Sequence, residues 1–309
     1  MNEVMVGVRG FLESSDRVTS PSFFSTSRKR LFFTSKSINV TNTHANMLTL
    51  TGATKTVLYS AWFCPFAQRV WCALNELGVE YERVEALNID PDTEAYVKHS
   101  GLLAHNPQGL VPTVVQTDKN DIETSVCDSL EILRQLFDAQ GLAPSTLEAL
   151  SRDAKHYNEQ LCSPFYTVLM KQNENERKAG WEQMLRGYWE FADHLVWRGN
   201  GEISFYQPIV GENQSTTTTS GPGLVDFCVY PFIHRLYIIE HYLGLVLPAE
   251  EEPTRKLMAW RARMEALPSV QATLAAPEKL IPIYLRYADG TAKSKVGDFV
   301  RQGRHAHEV

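Results

Sequence analysis

Cys64 stands directly before Pro65, at the junction between an apolar stretch and an amphipathic one. A thiol attacks as its thiolate, so a nucleophilic cysteine needs surroundings that favour negative charge. A helix N-terminus provides them through unpaired N–H groups and the positive end of the helix dipole. Thiols so placed have pKa values about one to several units below the free value of about 8.5, and such a depression is expected of Cys64.

The elements that must hold this thiol are legible over residues 56–78. Val57, Leu58 and Tyr59 predict a buried strand. Phe66, Val70, Ala73, Leu74 and Leu77 recur at helical spacing and predict an amphipathic helix. Pro65 suits the first helical position, where its missing N–H costs nothing, and Gly78 suits the helix end. Arg69 and Arg83 are close enough in sequence to add positive charge.

The other cysteines, at 72, 127, 162 and 228, form no Cys-x-x-Cys pair and no metal-ligand spacing with histidine. That speaks against a zinc site and against a disulfide framework, so no metal is expected, and it fits a reducing compartment. Cys72 lies eight residues beyond Cys64 on the same predicted helix, a rise of about 12 Å. A disulfide cannot span that distance. The partner of Cys64 must come from outside its helix, and a small thiol is the natural candidate.

Around this unit the pattern is strand, helix, strand, helix, strand, strand, helix. Residues 79–84 predict the second strand and 92–99 a helix. Residues 111–115 and 122–126 predict a hairpin turning at Asp118, Lys119, Asn120 and Asp121. A helix over 129–137 buries Leu130, Leu133, Leu136 and Phe137. This order predicts a thioredoxin-like α/β domain over 54–138. Gly141 and Pro144 mark a linker over 139–146. Helical patterns then cover 147–172, 175–197, 225–243, 254–267 and 270–286, an all-α C-terminal domain ending near 288. Residues 199–223 predict a polar surface loop, and the tail over 289–309 is expected to be solvated and disordered.

The segment YSAWFCPFAQRVWCAL resembles the N-terminal domain of cysteine-type glutathione transferases, the omega and lambda classes in particular, and the likeness extends over roughly residues 54–285. It implies a thioredoxin-like domain followed by an all-α domain, with glutathione as co-substrate. By the resemblance Cys64 is the catalytic thiol and Phe66 belongs to the glutathione site. Val111 implies a main-chain contact to the cysteinyl part of glutathione and Pro112 a cis peptide bond. Asp128 implies a grip on the γ-glutamyl ammonium and Ser129, at a helix N-cap, on its carboxylate. Two departures stand out. The loop position where omega proteins carry a lysine falls on Asn88-Ile89-Asp90-Pro91, and the acid is Asp128 rather than the longer Glu. Gly223-Leu224-Val225-Asp226 occupies the place of the family's helix cap. Tyr157, Phe165, Tyr166 and Trp260 are candidates for a hydrophobic site facing Cys64, with core packing as the alternative for each.

The expected function is a glutathione-dependent thiol transferase or reductase working through a Cys64 mixed disulfide. Removal of glutathione from disulfides, dehydroascorbate reduction and reductive removal of groups from activated aromatics are its variants. Conjugation is disfavoured, because a cysteine stands where a stabilising hydroxyl would be required, and Ser60 is a weak substitute. The alternative of a different class is a non-catalytic protein of this fold that binds apolar ligands or protein partners. A chain of 309 residues with a net charge of -6 and 43% apolar residues has material for about two domains and no basic groove for nucleic acid. No apolar run reaches the roughly 18 residues of a membrane span. A monomer or a homodimer is expected. Residues 1–49 are rich in Ser, Thr, Phe and Asn, carry Arg28, Lys29, Arg30 and Lys36, and lack acids from 17 to 50. That is the composition of a mitochondrial or plastid transit peptide. A leader without an address, or a start at Met47, which would leave the protein cytoplasmic, are the alternatives; the absence of an apolar core in the leader disfavours secretion.

Overall fold

The computed structural model describes residues 47–90, 95–208 and 221–309, which belong to a compact unit spanning Ala45–Val309. Most of the expected leader and most of the expected polar loop over 199–223 lie outside the described residues. Leu48 and Thr49 do not: Leu48 is buried and its N–H donates to Gln135 Oε1 at 2.8 Å, while Thr49 exchanges two 2.8 Å bonds with the Gln116 amide. The last two residues assigned to the leader are therefore anchored to the fold.

Strand β1 (Lys55–Ser60) pairs in parallel with β2 (Glu82–Glu85) and antiparallel with β5 (Thr113–Thr117), which in turn pairs antiparallel with β6 (Glu123–Val126). The sheet order is β2-β1-β5-β6. Alternation along β1 explains why it sits inside. Leu58 points into the main core, whereas Val57 and Tyr59 pack on the opposite face with Ala86, Leu102 and Val115. Helices α1 (Pro65–Glu76) and α3 (Ser129–Asp138) cover the first face, and α2 (Ser100–His105) the second. The β5–β6 turn falls on Asp118 to Asp121, as its residues predict. Asp118 Oδ1 accepts from the N–H groups of Asn120 and Ile122, and Asp121 takes φ 59°.

The helix expected over 92–99 is absent from the part of that range that is described. Tyr96–Lys98 is instead strand β4, paired antiparallel with β3 (Leu87–Ile89), and the helix begins only at Ser100. Tyr96 and Val97 favour a pleated surface, and here that preference wins over a weak helical pattern.

The remainder is helical: α4 (Pro144–Tyr157), α5 (Ser163–Met170), α6 (Glu174–Asp193), α7 (Leu224–His234), α8 (Leu236–Leu243), α9 (Glu252–Glu265), α10 (Pro268–Gln271) and α11 (Pro277–Ala288). Three of the expected helices are interrupted. A π-turn at Asn158–Cys162 separates α4 from α5, Arg235 separates α7 from α8, and residues 272–276 separate α10 from α11. At α7 the helix cap is as the sequence suggests, with Gly223 N–H donating to Asp226 Oδ2 at 2.8 Å.

The tail departs most from expectation. Residues beyond 288 form α12 (Lys295–Arg301) and a 3₁₀ turn (Ala306–Glu308), both against α5. Ala292, Val300 and Ala306 are each at most 2% exposed, so three small apolar anchors hold a segment whose charges suggest solvation. No helix among the described residues is long and apolar enough to cross a membrane.

Candidate active site

Cys64 is the N-cap residue of α1, with extended backbone (φ -84°, ψ 119°) and Pro65 behind it. Its carbonyl starts the helix by accepting from Gln68 N–H at 3.0 Å. The half-buried thiol lines a cavity of about 350 Å³ that opens between the sheet domain and the helices. Sγ lies 3.9 Å from the Val111 carbonyl. The Val111–Pro112 bond is cis, in line with the resemblance.

The electrostatics of this thiol differ from the expectation. Burial pushes the Cys64 pKa up from its ordinary value, and this outweighs the lowering influences of the Ala67 N–H, Arg235, the Phe66 N–H and Arg69. The helix end does act on the sulfur, but desolvation prevails. Cys72 is buried and pushed up to about 12, Cys162 and Cys228 are buried in the core, and Cys127 is exposed at the cavity edge; all five are free thiols.

Two buried arginines flank the first turn of α1. Arg69 donates to Cys228 O at 2.8 Å, to Ser129 Oγ at 3.1 Å and to Asn158 Oδ1 at 2.7 Å, and its guanidinium sits 5.0 Å from the ring centres of both Phe66 and Phe232. Arg235 donates to Gln68 Oε1, Pro231 O, Tyr284 Oη and Phe63 O. It thereby fixes the residue before Cys64 and the residue one turn after it. Every one of these acceptors is neutral. Arg83, by contrast, pairs with Glu85 and covers Trp71, and it does not reach the cavity.

Asp128 and Ser129 line one wall, but their capping roles are exchanged relative to expectation. Asp128 is the N-cap, its Oδ1 accepting from Glu131 N–H at 2.8 Å, and Ser129 is the first helical residue, bonded to Arg69. Phe66 also reaches the cavity, stacked 6.1 Å from Tyr166.

Of the four aromatic candidates only Tyr166 lines the cavity. Trp260 is fully buried and donates from Nε1 to Asp226 Oδ1 at 2.7 Å. Tyr157 packs edge-on against Phe191 and Tyr206, and Phe165 is core between Tyr166, Phe232 and Tyr284. The cavity instead draws on Tyr96 of β4 and on Tyr284 and Tyr287 of α11. Tyr284 Oη donates to Phe63 O at 3.1 Å, tying this wall to the turn that presents Cys64. Ser60 is fully buried in β1 and does not line the cavity.

Lys98, at the end of β4 and two residues before α2, lines the rim and donates to Gln108 O at 2.9 Å. A lysine therefore does precede the second helix. Of the Asn88 to Pro91 stretch named in the sequence, Asn88 and Ile89 belong to strand β3.

Residues 63–139 match the family model described as Glutathione S-transferase, N-terminal domain. Among curated proteins, glutathione S-transferase omega-1 of Sus scrofa is 24% identical over 228 residues, which cover 72% of this chain and 82% of that protein. Glutathione transferase Omega 3C from Trametes versicolor superposes with a TM-score of 0.57 at 24% identity, over 75% of this chain and 90% of that one. A Tau class enzyme from mango gives 0.58 at 22% identity, over 76% and 100%. A rice transferase solved in complex with glutathione gives 0.56 at 24%, over 74% and 94%. The thioredoxin-like sheet with its helical partner domain is thus the glutathione transferase fold, residues 63–139 match the N-terminal domain of the glutathione S-transferase family, and omega-class proteins are among those the chain is similar to.

Proposed function

We propose that the protein is a glutathione-dependent thiol transferase in which Cys64 carries a mixed disulfide with glutathione. The observation behind this reading is the placement of the half-buried Cys64 thiol, at a helix N-terminus, between the Val111 carbonyl and the Asp128–Ser129 wall of a single cavity. Glutathione laid along that wall would pair its cysteinyl main chain with Val111. Its γ-glutamyl carboxylate would face Ser129 and the first turn of α3, backed by the Arg69 cation, and its ammonium would face Asp128.

In the first step the Cys64 thiolate attacks the glutathionyl sulfur of a disulfide GS–SR. The S–S bond breaks, Cys64–S–SG forms, and RS⁻ leaves to take a proton from solvent. In the second step the thiolate of another glutathione attacks the glutathionyl sulfur of that mixed disulfide, releasing oxidised glutathione and restoring the Cys64 thiolate. One attacking thiol suffices for this exchange. Dehydroascorbate reduction and reductive cleavage of glutathionyl aromatics require the same sulfur, and the tyrosines across the cavity suit planar acceptors.

Burial of the thiol favours one other reading, a non-catalytic binder of apolar ligands. Turnover measured across small glutathione disulfides, dehydroascorbate and phenacyl-glutathiones, on the parent and on Cys64→Ser, separates the two. Activity with any of these that disappears in Cys64→Ser supports the transferase, and no turnover with all of them supports the binder.

A further inference from the structure

Leu48 and Thr49 are neighbours in the chain but hold two different elements. Leu48 N–H donates to Gln135 Oε1 of α3 at 2.8 Å, whereas Thr49 donates from its N–H to Gln116 Oε1 of β5 and accepts from Gln116 Nε2, both at 2.8 Å. The Leu48 side chain is buried in the main core, which it shares with Val114 of β5 and with Leu133 and Leu136 of α3. Both glutamines are buried and both use the two ends of their amides. Gln135 Nε2 donates to Glu131 Oε1 at 2.6 Å, and Gln116 Nε2 also reaches Thr56 Oγ1 of β1 at 3.2 Å. Buried polar groups that are satisfied in this way rigidify what they join.

The elements joined are the ones that carry two walls of the cavity. Strand β5 begins at Thr113, directly after the cis Val111–Pro112 bond, and α3 begins at Ser129, directly after Asp128. Apolar packing of a helix on a sheet is non-directional, but hydrogen bonds demand alignment. The clasp of Gln116 and Gln135 through the strap therefore fixes how α3 sits relative to β5, and with it the spacing between Val111 and the Asp128–Ser129 pair. Glu131 carries the constraint to the cap: its carboxylate accepts from Gln135 and Arg134, and its N–H donates to Asp128 Oδ1 at 2.8 Å. None of Leu48, Thr49, Gln116 and Gln135 lines the cavity, so a change at any of them removes no contact to a ligand held there.

We propose that the strap at Leu48 and Thr49, with Gln116 and Gln135, is a positioning device that sets the spacing of the cysteinyl and γ-glutamyl contacts of glutathione. This rests on the glutathione reading above. Only a ligand that spans both walls feels the device, because a ligand that meets Val111 alone has no second contact to bring into register.

The test compares two disulfides as loading agents for Cys64 in the full chain: oxidised glutathione, and the disulfide of cysteinylglycine, which lacks the γ-glutamyl residue. The rate of adduct formation on Cys64 is read by intact-mass spectrometry. In the parent, oxidised glutathione should load faster. Gln135→Met, which removes the acceptor of Leu48 N–H, and Gln116→Met, which removes both bonds to Thr49, should each slow loading by oxidised glutathione roughly two- to thirty-fold, the range exerted by supporting residues on a site they do not touch. Loading by the shorter disulfide should stay unchanged. Should Gln135→Met fail to fold, Gln116→Met carries the same comparison from the β5 side. Failure of both to fold makes the clasp a stability element and overturns the proposal. Equal slowing with the two disulfides, or slowing with neither, overturns it as well while leaving the glutathione reading intact. A parent that forms no Cys64 adduct, or one that loads the two disulfides equally well, defeats the underlying reading and this inference with it.

Discussion

Arg69 donates to Ser129 Oγ at 3.1 Å, and through this bond the helix that presents Cys64 is locked to the helix that opens at Asp128. The same guanidinium holds the Cys228 carbonyl of α7 and Asn158 in the π-turn, so four elements converge on one buried cation. Its countercharge is not a carboxylate in direct contact. Part of what makes this burial tolerable is three good neutral acceptors and two aromatic faces.

Arg69→Met should therefore be strongly destabilising, by about 3 kcal/mol or more, because three buried acceptors lose their donor at once. Arg69→Lys should recover little, since a single ammonium cannot reproduce the fork. Urea unfolding monitored by circular dichroism measures both, and a loss under 1 kcal/mol for Arg69→Met would show that the acceptors find other partners.

At Asp128 the cap and the charge can be separated. Asp128→Ala should lower stability by about 0.5 to 2 kcal/mol through loss of the bond to Glu131 N–H. Asp128→Asn should keep the cap, as Asn serves that position equally well. If the carboxylate also holds the γ-glutamyl ammonium, both variants should weaken glutathione binding roughly ten-fold or more and leave the rate of Cys64 alkylation nearly unchanged. Ser129→Ala should weaken binding more mildly. Calorimetric titration with glutathione beside an alkylation time course decides it. Unchanged affinity in Asp128→Asn reduces Asp128 to a helix cap.

The raised pKa of Cys64 fixes the sign of its pH dependence. Below that pKa the thiolate fraction grows ten-fold per pH unit, so alkylation by iodoacetamide, measured without added glutathione, should be slow near pH 6 and still be rising above pH 9. A plateau reached by pH 7 would show that the helix N-terminus and the two arginines outweigh desolvation. Arg235→Met should push the curve further up, provided that the variant remains folded.

Burial raises Asp226 to about 6 from its ordinary 3.8, despite bonds from Gly223 N–H, Tyr206 N–H and Trp260 Nε1. The folded protein then binds more protons than the unfolded chain between those values. Stability from this group is full below about pH 4 and falls as pH rises to about 6, by on the order of 3 kcal/mol. Asp226→Asn cannot titrate, so the stability difference between parent and variant should narrow over that interval. Chemical unfolding at pH 4, 5, 6 and 7 checks the slope, and a constant difference would contradict it.

How much of this was readable from residues alone follows from the range of the interactions. The strand, Cys-Pro junction and helix of 55–76 are local, and so are the hairpin at Asp118 to Asp121 and the amphipathic α3; each carries its own periodicity or turn chemistry. The resemblance supplied the cis bond at Pro112. Trp260, Tyr157 and Phe165 take the core alternative, because helical spacing shows that an aromatic faces inward, not whether it meets a cavity or a neighbouring helix. Tyr96 and Lys98 were hidden by a strand of three residues, too short to outweigh the pattern around it. Tyr284 and Tyr287 sit on a well-marked helix, but only tertiary packing brings α11 to Cys64. For α12 the anchors are Ala292, Val300 and Ala306, spread among charges that read as solvent-facing.

Cys64 alone should form the mixed disulfide with glutathione. Intact-mass spectrometry after brief exposure to oxidised glutathione at pH 8, followed by peptide mapping, tests it most directly. One added glutathionyl group is expected, on Cys64, removed by reduced glutathione and absent from Cys64→Ser. Addition at the exposed Cys127 instead, or an adduct that persists in Cys64→Ser, would contradict it.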